Sequence, residues 1–288
     1  MVPLTEPAVA EAYAGASSRL AVFVQGWSVT ESCWSWRPRA QADELPDPDT
    51  LLDYGARLRR DLGYTPVYVR YNTGLHISEN GRLLTDLLET LVGLWPSEVE
   101  TVARVGYSMG GLVARSACHY AAEFDHGWLQ RVGPVVCLGT PHLGAPLEKG
   151  AHVLGWVLGQ FPETEALGGV VNSRSSGVKD LRFGAVTSDH WSVHDAEELL
   201  VDRVAGSGAT GTQEVYLLSA RLAAEDSPAA AVLGDLLVPV SSASGQGSQR
   251  SVPVVPDGLV RISGLSHLGL LNNAEVYAAL RTWLTPTE

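Results

Sequence analysis

Cysteine is scarce in this chain. It has three cysteines among 288 residues, Cys33, Cys118 and Cys137. An odd number cannot pair completely, and none of the three has the C-x-x-C or Cys/His spacing of a metal site. We therefore expect three free thiols, two of them buried as small apolar side chains, and no metal centre.

Positive charge is also in short supply. Twenty Lys and Arg residues face 32 Asp and Glu residues, which leaves a formal net charge of -12, and no basic cluster is present. Because nucleic-acid affinity depends largely on basic residues that neutralise phosphates, the sequence argues against a nucleic-acid partner. Hydrophobic residues make up 45% and charged residues 18%, a balance typical of a compact folded protein.

Long apolar runs are missing as well. No stretch approaches eighteen uninterrupted apolar residues, so the sequence predicts no transmembrane helix. The first residues lack the basic and apolar segments of a secretory signal. We expect a cytoplasmic location for the chain as given, although a signal removed upstream would leave the same sequence.

Short runs rich in β-branched residues alternate with helical patterns along the chain. The runs cover 20–24, 66–70, 101–105, 134–138, 214–218 and 259–262. Helices are predicted for 49–62, for a segment capped by Ser78 and ended by Gly93, and for a final segment capped by Asn273. This alternation predicts an α/β fold with a doubly wound, mostly parallel sheet, and ligands of such sheets bind at the carboxyl ends of the strands.

One long segment breaks the alternation. Residues 147–211 show helical patterning at 150–158 and 195–204 but no convincing strand. We interpret the segment as a helical cap or lid inserted into a single domain that spans 1–288, with ordinary crossover helices and long loops as the alternative. Residues 241–251 are rich in Gly, Ser and Gln and are predicted to form a mobile loop.

The strongest motif is Gly106-Tyr-Ser-Met-Gly110, which follows a predicted strand and opens a predicted helix. A G-x-S-x-G sequence in this context indicates a nucleophile elbow, a strained turn that exposes a reactive serine. Glycines stand two residues before and after Ser108 because side chains there would collide with the neighbouring strand and helix. Ser108 is therefore the candidate nucleophile.

A serine hydroxyl needs a base to remove its proton, and the base needs an acid to orient it. In proteins with this elbow the partners follow in the order acid, then histidine. His267 lies just beyond the last predicted strand, and it alone among the eight histidines combines that position with that order. Among the aspartates between the strand at 214–218 and His267, Asp226 and Asp235 are the candidates for the acid.

The negative charge that develops on the substrate requires two backbone N–H donors. Met109, the residue after the nucleophile, should supply one. Trp27 should supply the other from the loop after the first strand, where Gly26 allows close approach and Gln25 can brace the loop. Gln25, Gly26, Trp34 and Trp36 in this loop are candidate substrate-binding residues, and loop packing is the alternative role for the tryptophans.

These residues resemble the α/β-hydrolase superfamily, in particular its lipase-like and esterase-like branch. The segment Gly139-Thr-Pro-His-Leu-Gly-Ala-Pro146 is similar to a G-T-P-H-x-G-x-P signature of triacylglycerol lipases, some polyhydroxyalkanoate depolymerases and GPI inositol-deacylase-like enzymes. The resemblance covers about 18–146 and 212–284. It favours Asp235 as the acid, because its G-D-x-x-V-P turn looks like the acid loop of many hydrolases. His142 can line the pocket or fix the turn.

One residue departs from the family pattern, since this chain has Gln25-Gly26 where relatives usually have His-Gly. Because the donors are backbone N–H groups, the departure does not argue against catalysis. The resemblance implies a serine hydrolase of hydrophobic, small-molecule or lipid-like carboxylic esters that needs no cofactor. An acyltransferase, a polyester depolymerase and an amidase or peptidase would use the same triad, whereas a non-catalytic module would normally have lost one of its members.

Overall fold

The computed structural model describes residues 1–37, 51–131, 133–145, 176–188, 213–222, 234–247 and 251–286. Six strands form one parallel sheet in the order β2-β1-β3-β4-β5-β6. They are β1 Arg19–Val24, β2 Thr65–Val69, β3 Thr101–Tyr107, β4 Val135–Leu138, β5 Val215–Arg221 and β6 Leu259–Ser263. All six predicted strands are confirmed, with ends that differ by at most three residues.

The helices within the described ranges cover both faces of the sheet. They are α1 Glu6–Ala12, α2 Tyr54–Leu62, α3 Ile77–Gly93, α4 Met109–Glu123, α5 Ser176–Phe183, α6 Val240–Ala243 and α7 Ala274–Leu284, with 3-10 turns at Glu31–Ser35, Gly127–Gln130 and Leu268–Leu271. Apolar residues of α3 and α4 form one core cluster with the sheet, and those of α2 and α7 form the other. The central strands β1, β3 and β4 are buried almost throughout, which explains their continuous apolar sequence.

The ends of helices α2 and α7 agree with the sequence prediction, except for the start of α2. Asn273 Oδ1 accepts hydrogen bonds from the N–H groups of Glu275 and Val276 at 2.8 and 3.2 Å, so the predicted cap of α7 is confirmed. Gly63 ends α2 in the left-handed region, with φ of 70°. The start of α2 lies later than predicted, because Asp53 caps it through the N–H of Ala56 at 2.8 Å.

The predicted cap of α3 was wrong. The helix begins at Ile77, and the buried Ser78 already lies inside it. Asp180, on the distant helix α5, accepts a hydrogen bond from the Ile77 N–H at 2.8 Å and lies 3.1 Å from Nδ1 of His76. Burial raises the pKa of the Asp180 carboxyl despite these favourable contacts. A cap supplied by a distant helix leaves no local sequence signal.

The proposed cap segment lies mostly outside the described residues. Residues 147–175 and 189–211 lie outside the described part of the chain, and both predicted helical patterns fall within them. The insertion therefore stays a prediction. Within the segment, 176–188 are described and pack on the core. An added Cβ at Gly177 would lie less than 3.0 Å from the carbonyl oxygen of Thr73, so α5 approaches the loop after β2 closely.

Part of the segment predicted to be a loop at 241–251 is helical, because α6 extends to Ala243, while its mobility stays a prediction. A turn follows α6 up to residue 247, and Ser242 is buried. Its hydroxyl donates to the carbonyl of Gly144 at 2.6 Å and accepts from the N–H of Leu143 at 3.0 Å. The small polar residues therefore tie this turn to the segment after β4.

All three cysteines are free and buried, whereas the sequence predicts only two of them to be buried. Burial raises the pKa of the Cys137 thiol to about 12, which keeps it protonated and unreactive. No helix in the described part of the chain is long and apolar enough to cross a bilayer.

Candidate active site

Ser108 occupies a sharp turn at the carboxyl end of β3, immediately before α4. Its backbone has φ of 54° and ψ of -124°, a conformation that non-glycine residues rarely adopt. The N–H of Ser108 donates to the carbonyl of Leu138 at 2.8 Å, so the neighbouring strand β4 holds the turn. Tyr107 and Met109 are buried, whereas Ser108 between them is partly exposed. The strained turn therefore presents this side chain outwards from the core.

Two glycines make this turn possible. An added Cβ at Gly106 would lie less than 3.0 Å from the backbone of Gly110 and Gly111 on α4. One at Gly110 would come equally close to the carbonyl oxygens of Val24 and Gln25 on the β1 side. These are the collisions with helix and strand that the motif predicts, and both involve backbone atoms that cannot move aside.

We expect Gly106→Ala to destabilise the protein by about 3 kcal/mol or more, since the new methyl group forces α4 away from β3. Urea unfolding followed by circular dichroism measures the change. Gly93→Ala is the matched control, because an added Cβ there meets nothing within 4 Å. Alanine at this helical position should leave stability unchanged or raise it by up to about 1 kcal/mol. Equal stability of the two variants would refute the packing argument.

Asp235 and His267 form a buried pair at the same edge of the sheet. The two atoms Asp235 Oδ2 and His267 Nδ1 lie 2.6 Å apart, and the residues are 0% and 3% exposed. The other carboxylate oxygen, Oδ1, accepts from the N–H groups of Leu237 and Val238 at 3.0 and 2.8 Å. A carboxylate only accepts hydrogen bonds, so Nδ1 of His267 carries the hydrogen and Nε2 is the basic nitrogen. The alternative acid, Asp226, lies outside the described residues.

The imidazole ring of His267 packs directly against the nucleophile turn. Its ring centroid lies 4.9 Å from that of Tyr107, the residue before Ser108. An added Cβ at Gly139, which follows Leu138, would be 3.1 Å from Cε1 of His267. Leu138 is the residue that accepts from the Ser108 N–H. Ser108 and His267 therefore adjoin the same two strand ends.

Nε2 of His267 is buried and makes no hydrogen bond to any described residue, Ser108 included. The structure thus brings the Asp–His pair together but does not close a hydrogen bond from Ser108 to His267. Such bonds often shorten only when substrate is bound. Since Nδ1 carries the hydrogen, Nε2 has a free lone pair that can accept a proton from an adjacent group.

The loop after β1 crosses directly over the nucleophile. An added Cβ at Gly26 would be 3.1 Å from Cβ of Ser108, so only glycine fits here without displacing a neighbour. Trp27 follows, and its ring is partly buried against the core. Met109 begins α4, and a first helical residue has no intrahelical acceptor for its N–H. The two predicted oxyanion donors therefore flank Ser108 from the loop side and the helix side.

Gln25 lies under this loop, fully buried. In the orientation that satisfies its neighbours, its side-chain amide donates to the carbonyl of Val69 and accepts from the N–H of Tyr71. The backbone carbonyl of Gln25 accepts a hydrogen bond from the hydroxyl of Tyr71 at 2.7 Å. These contacts attach the loop to the end of β2, the bracing role that the sequence suggests. A direct role for Gln25 in binding substrate stays a prediction.

The remaining predicted pocket residues differ in exposure. Trp34 is 1% exposed and packs edge-to-face on Phe23 with centroids 4.9 Å apart, which favours the loop-packing alternative. Trp36 is partly buried against the same cluster. His142 is buried, and its Nδ1 lies 3.0 Å from Nη1 of Arg115, so its position favours the role of fixing the turn. Substrate contact by any of the three stays a prediction.

Backbone strain concentrates in the loops of this site. Five non-glycine residues in the described chain have positive φ, and three of them are Ser28, Ser108 and Leu236. They belong to the loop over the nucleophile, the nucleophile turn and the acid turn. Strained backbone often marks positions where function fixes the geometry. Among the described residues, no group of three or more His, Cys, Asp or Glu side chains is arranged to hold a metal ion.

Known structures share this arrangement of sheet and helices. The mature lipase of Bacillus licheniformis aligns with a TM-score of 0.55 and 18% identity, over 93% of this chain and 92% of that one. The fold is that of the α/β hydrolases. A lipase-esterase related protein from Clostridium acetobutylicum aligns with a TM-score of 0.50 and 13% identity, over 93% and 95% of the two chains.

Two further comparisons bear on this fold. Phospholipase PlaB from Legionella pneumophila aligns with a TM-score of 0.51 and 13% identity, over 93% of this chain and 58% of that one. The family model of a PGAP1-like alpha/beta domain matches residues 69–188, which include the nucleophile turn and the Gly139–Pro146 segment. A search of curated proteins gave no match.

Tyr107 is a residue of the candidate site that sequence reasoning missed. Besides packing on the ring of His267, its hydroxyl donates to the His267 carbonyl at 3.2 Å. Burial raises the pKa of Tyr107 well above its usual value, so the hydroxyl stays a donor at any working pH. The sequence shows that Tyr107 stands inside the G-x-S-x-G motif, but it does not predict a contact with a residue 160 positions later.

We expect Tyr107→Phe to lower kcat for ester hydrolysis roughly tenfold with KM within about twofold, because the backbone of His267 loses a hydrogen bond that fixes its position. Tyr64→Phe is the matched control, since the buried Tyr64 hydroxyl makes an equivalent bond to the carbonyl of Leu284 at 3.1 Å. That variant should keep wild-type kcat. Equal kcat values for the two variants would mean that Tyr107 contributes stability alone.

Proposed function

We propose that this chain is a serine hydrolase that cleaves hydrophobic carboxylic esters through an acyl-enzyme on Ser108. The observation that carries the proposal is the Asp235–His267 pair at 2.6 Å, beside a strained serine turn and with the second ring nitrogen of the histidine unbonded to any described residue. The α/β-hydrolase fold and its lipase and esterase relatives support the same chemistry.

The first half of the reaction forms the acyl-enzyme. His267 Nε2 takes the hydroxyl proton of Ser108 as its Oγ attacks the ester carbonyl carbon. The N–H groups of Trp27 and Met109 donate to the oxyanion of the tetrahedral intermediate. Asp235 stabilises the imidazolium that forms. The intermediate then expels the alcohol oxygen, which receives the proton from Nε2.

The second half releases the acid. A water molecule gives a proton to Nε2 of His267 and attacks the acyl carbon, and the same donors stabilise the second oxyanion. Collapse returns the proton to Oγ of Ser108 and frees the carboxylic acid. This chain's residues thus act as nucleophile, base, orienting acid and oxyanion donors. The half-buried Trp27 and Trp36 support an apolar substrate, since burying apolar area contributes about 25 cal/mol per Å².

A panel of p-nitrophenyl esters from acetate to palmitate, with triolein and a polyester added, tests the proposal. We expect turnover of the nitrophenyl esters. Product analysis with a competing alcohol then separates a hydrolase, which releases free acid, from an acyltransferase, which forms the new ester. Turnover of the polyester in preference to the small esters would indicate a depolymerase. No turnover of any ester would contradict the proposal.

A further inference from the structure

The loop over the nucleophile is attached to the segment after β2 on both sides of Trp27, its proposed oxyanion donor. On the near side, the backbone carbonyl of Gln25 accepts a hydrogen bond from the hydroxyl of Tyr71 at 2.7 Å. On the far side, the N–H of Ser28 donates to Oγ1 of Thr73 at 3.1 Å. The two residues between Gln25 and Ser28 therefore form a short span that is held at each end.

The far end of this span is strained. Ser28 has φ of 55°, a left-handed conformation that costs free energy in a residue with a side chain. Rotation of the Trp27–Ser28 peptide would relieve this strain, but it would also turn the Ser28 N–H away from Thr73. Gly26 has no Cβ to restrict its own backbone, so a change at Ser28 can pass to the Gly26–Trp27 peptide, which carries the Trp27 N–H. The bond to Thr73 opposes this relaxation.

The half-buried Thr73 is itself held in place from behind. It lies in a turn in which Oδ1 of Asn72 accepts from the N–H of Gly74 at 3.0 Å. Helix α5 packs on this turn, since the N–H of Gly177 donates to the carbonyl of Gly74 at 3.4 Å. An added Cβ at Gly177 would lie less than 3.0 Å from the carbonyl oxygen of Thr73. Thr73 therefore cannot retreat from Ser28 without displacing α5.

We propose that Thr73 is a positioning residue that holds the Trp27 N–H in the direction of the oxyanion. The inference rests on the proposed function, because it assumes that an oxyanion forms at Ser108. The negative charge develops only after the hydroxyl attacks, so a well-directed donor stabilises the transition state more than the bound ester. Loss of the Thr73 hydroxyl should therefore lower kcat and leave KM nearly unchanged.

Replacing the hydroxyl tests the proposal. Thr73→Val puts a methyl group in its place, and kcat for p-nitrophenyl acetate should fall roughly tenfold or more, with KM within about twofold of wild type. Thr73→Ser keeps a hydroxyl and should retain kcat within about threefold. Thr65→Val is the matched control, because Oγ1 of Thr65 accepts from the N–H of Ser17 at 2.9 Å, at the opposite edge of the sheet. Its kcat should stay within about twofold of wild type.

A second measurement reports on the oxyanion alone. An alkyl trifluoromethyl ketone forms a tetrahedral adduct with the serine and thereby resembles the transition state. Its inhibition constant should rise in Thr73→Val by about the same factor as kcat falls. The pH at which kcat/KM is half-maximal should not change, because Thr73 has no printed contact with His267 and the base is intact. A residue that only stabilises the fold would lower the unfolding midpoint and leave the inhibition constant unchanged.

These measurements separate the positioning role from the proposed function. Wild-type kcat in a folded Thr73→Val variant would overturn the role of Thr73, and so would equal losses in Thr73→Val and Thr65→Val. A shifted pH profile would also overturn it, because the hydroxyl would then act through the base. A wild-type protein that is inactive on every ester would instead refute the proposed function.

Discussion

Ser108→Ala should lower kcat for p-nitrophenyl ester hydrolysis by about 10⁴-fold or more, because no other group can form the acyl-enzyme. The loss of one hydroxyl from a partly exposed turn should leave the fold intact, so far-UV circular dichroism and the unfolding midpoint should match wild type. Steady-state kinetics with a substrate that the wild type turns over measures the effect.

Ser32→Ala is the matched control for this loss. Ser32 is exposed on the 3-10 turn beyond the loop over the nucleophile, so its replacement should leave kcat within twofold of wild type. Residual activity of Ser108→Ala within tenfold of wild type would show that another residue is the nucleophile, whatever the turn geometry suggests.

Asp235→Asn should lower kcat by about 10³- to 10⁴-fold with little change in fold. The N–H groups of Leu237 and Val238 hold the Oδ1 position, so the amide oxygen of asparagine takes it. The amide NH₂ then faces Nδ1 of His267, where the carboxylate oxygen lies 2.6 Å away in the wild type. Two donors cannot share that contact, so the imidazole moves its hydrogen to Nε2 and can no longer act as a base.

Asp226→Asn is the control for this prediction, because Asp226 is the alternative acid in the sequence. It should keep activity within threefold of wild type. The opposite pattern, with Asp226→Asn inactive and Asp235→Asn active, would assign the acid to Asp226. Comparing kcat/KM of both variants on one ester settles the choice in a single assay.

Local patterns predicted the framework well. Short apolar runs predicted the six strands, and the signal is clearest for β1, β3 and β4, because strands buried on both faces need apolar residues at nearly every position. The nucleophile turn follows from two glycines whose added side chains would meet backbone atoms. Ser108 and His267 follow from the motif and from chain order, since each stands in a loop after a strand and parallel strands bring those loops to one edge. Chain order left Asp226 and Asp235 both open, and the resemblance of the acid turn favoured Asp235.

Contacts between distant residues could not be predicted in this way. Asp180 caps α3 from a separate helix, and the Tyr107 hydroxyl contacts a residue 160 positions later. Trp34 illustrates a further limit, because a tryptophan beside an active-site loop has the same local sequence whether its ring faces substrate or packs on Phe23. Which role a side chain takes depends on the three-dimensional packing around it.

Covalent labelling of the nucleophile tests the central claim most directly. A fluorophosphonate reacts with a serine whose hydroxyl an adjacent base activates, so intact-mass spectrometry should show one adduct per chain, and peptide mapping should place it on Ser108. Ser108→Ala should give no adduct, and Asp235→Asn should react far more slowly than wild type. An adduct on another residue, or equal labelling of the wild type and Ser108→Ala, would contradict the account.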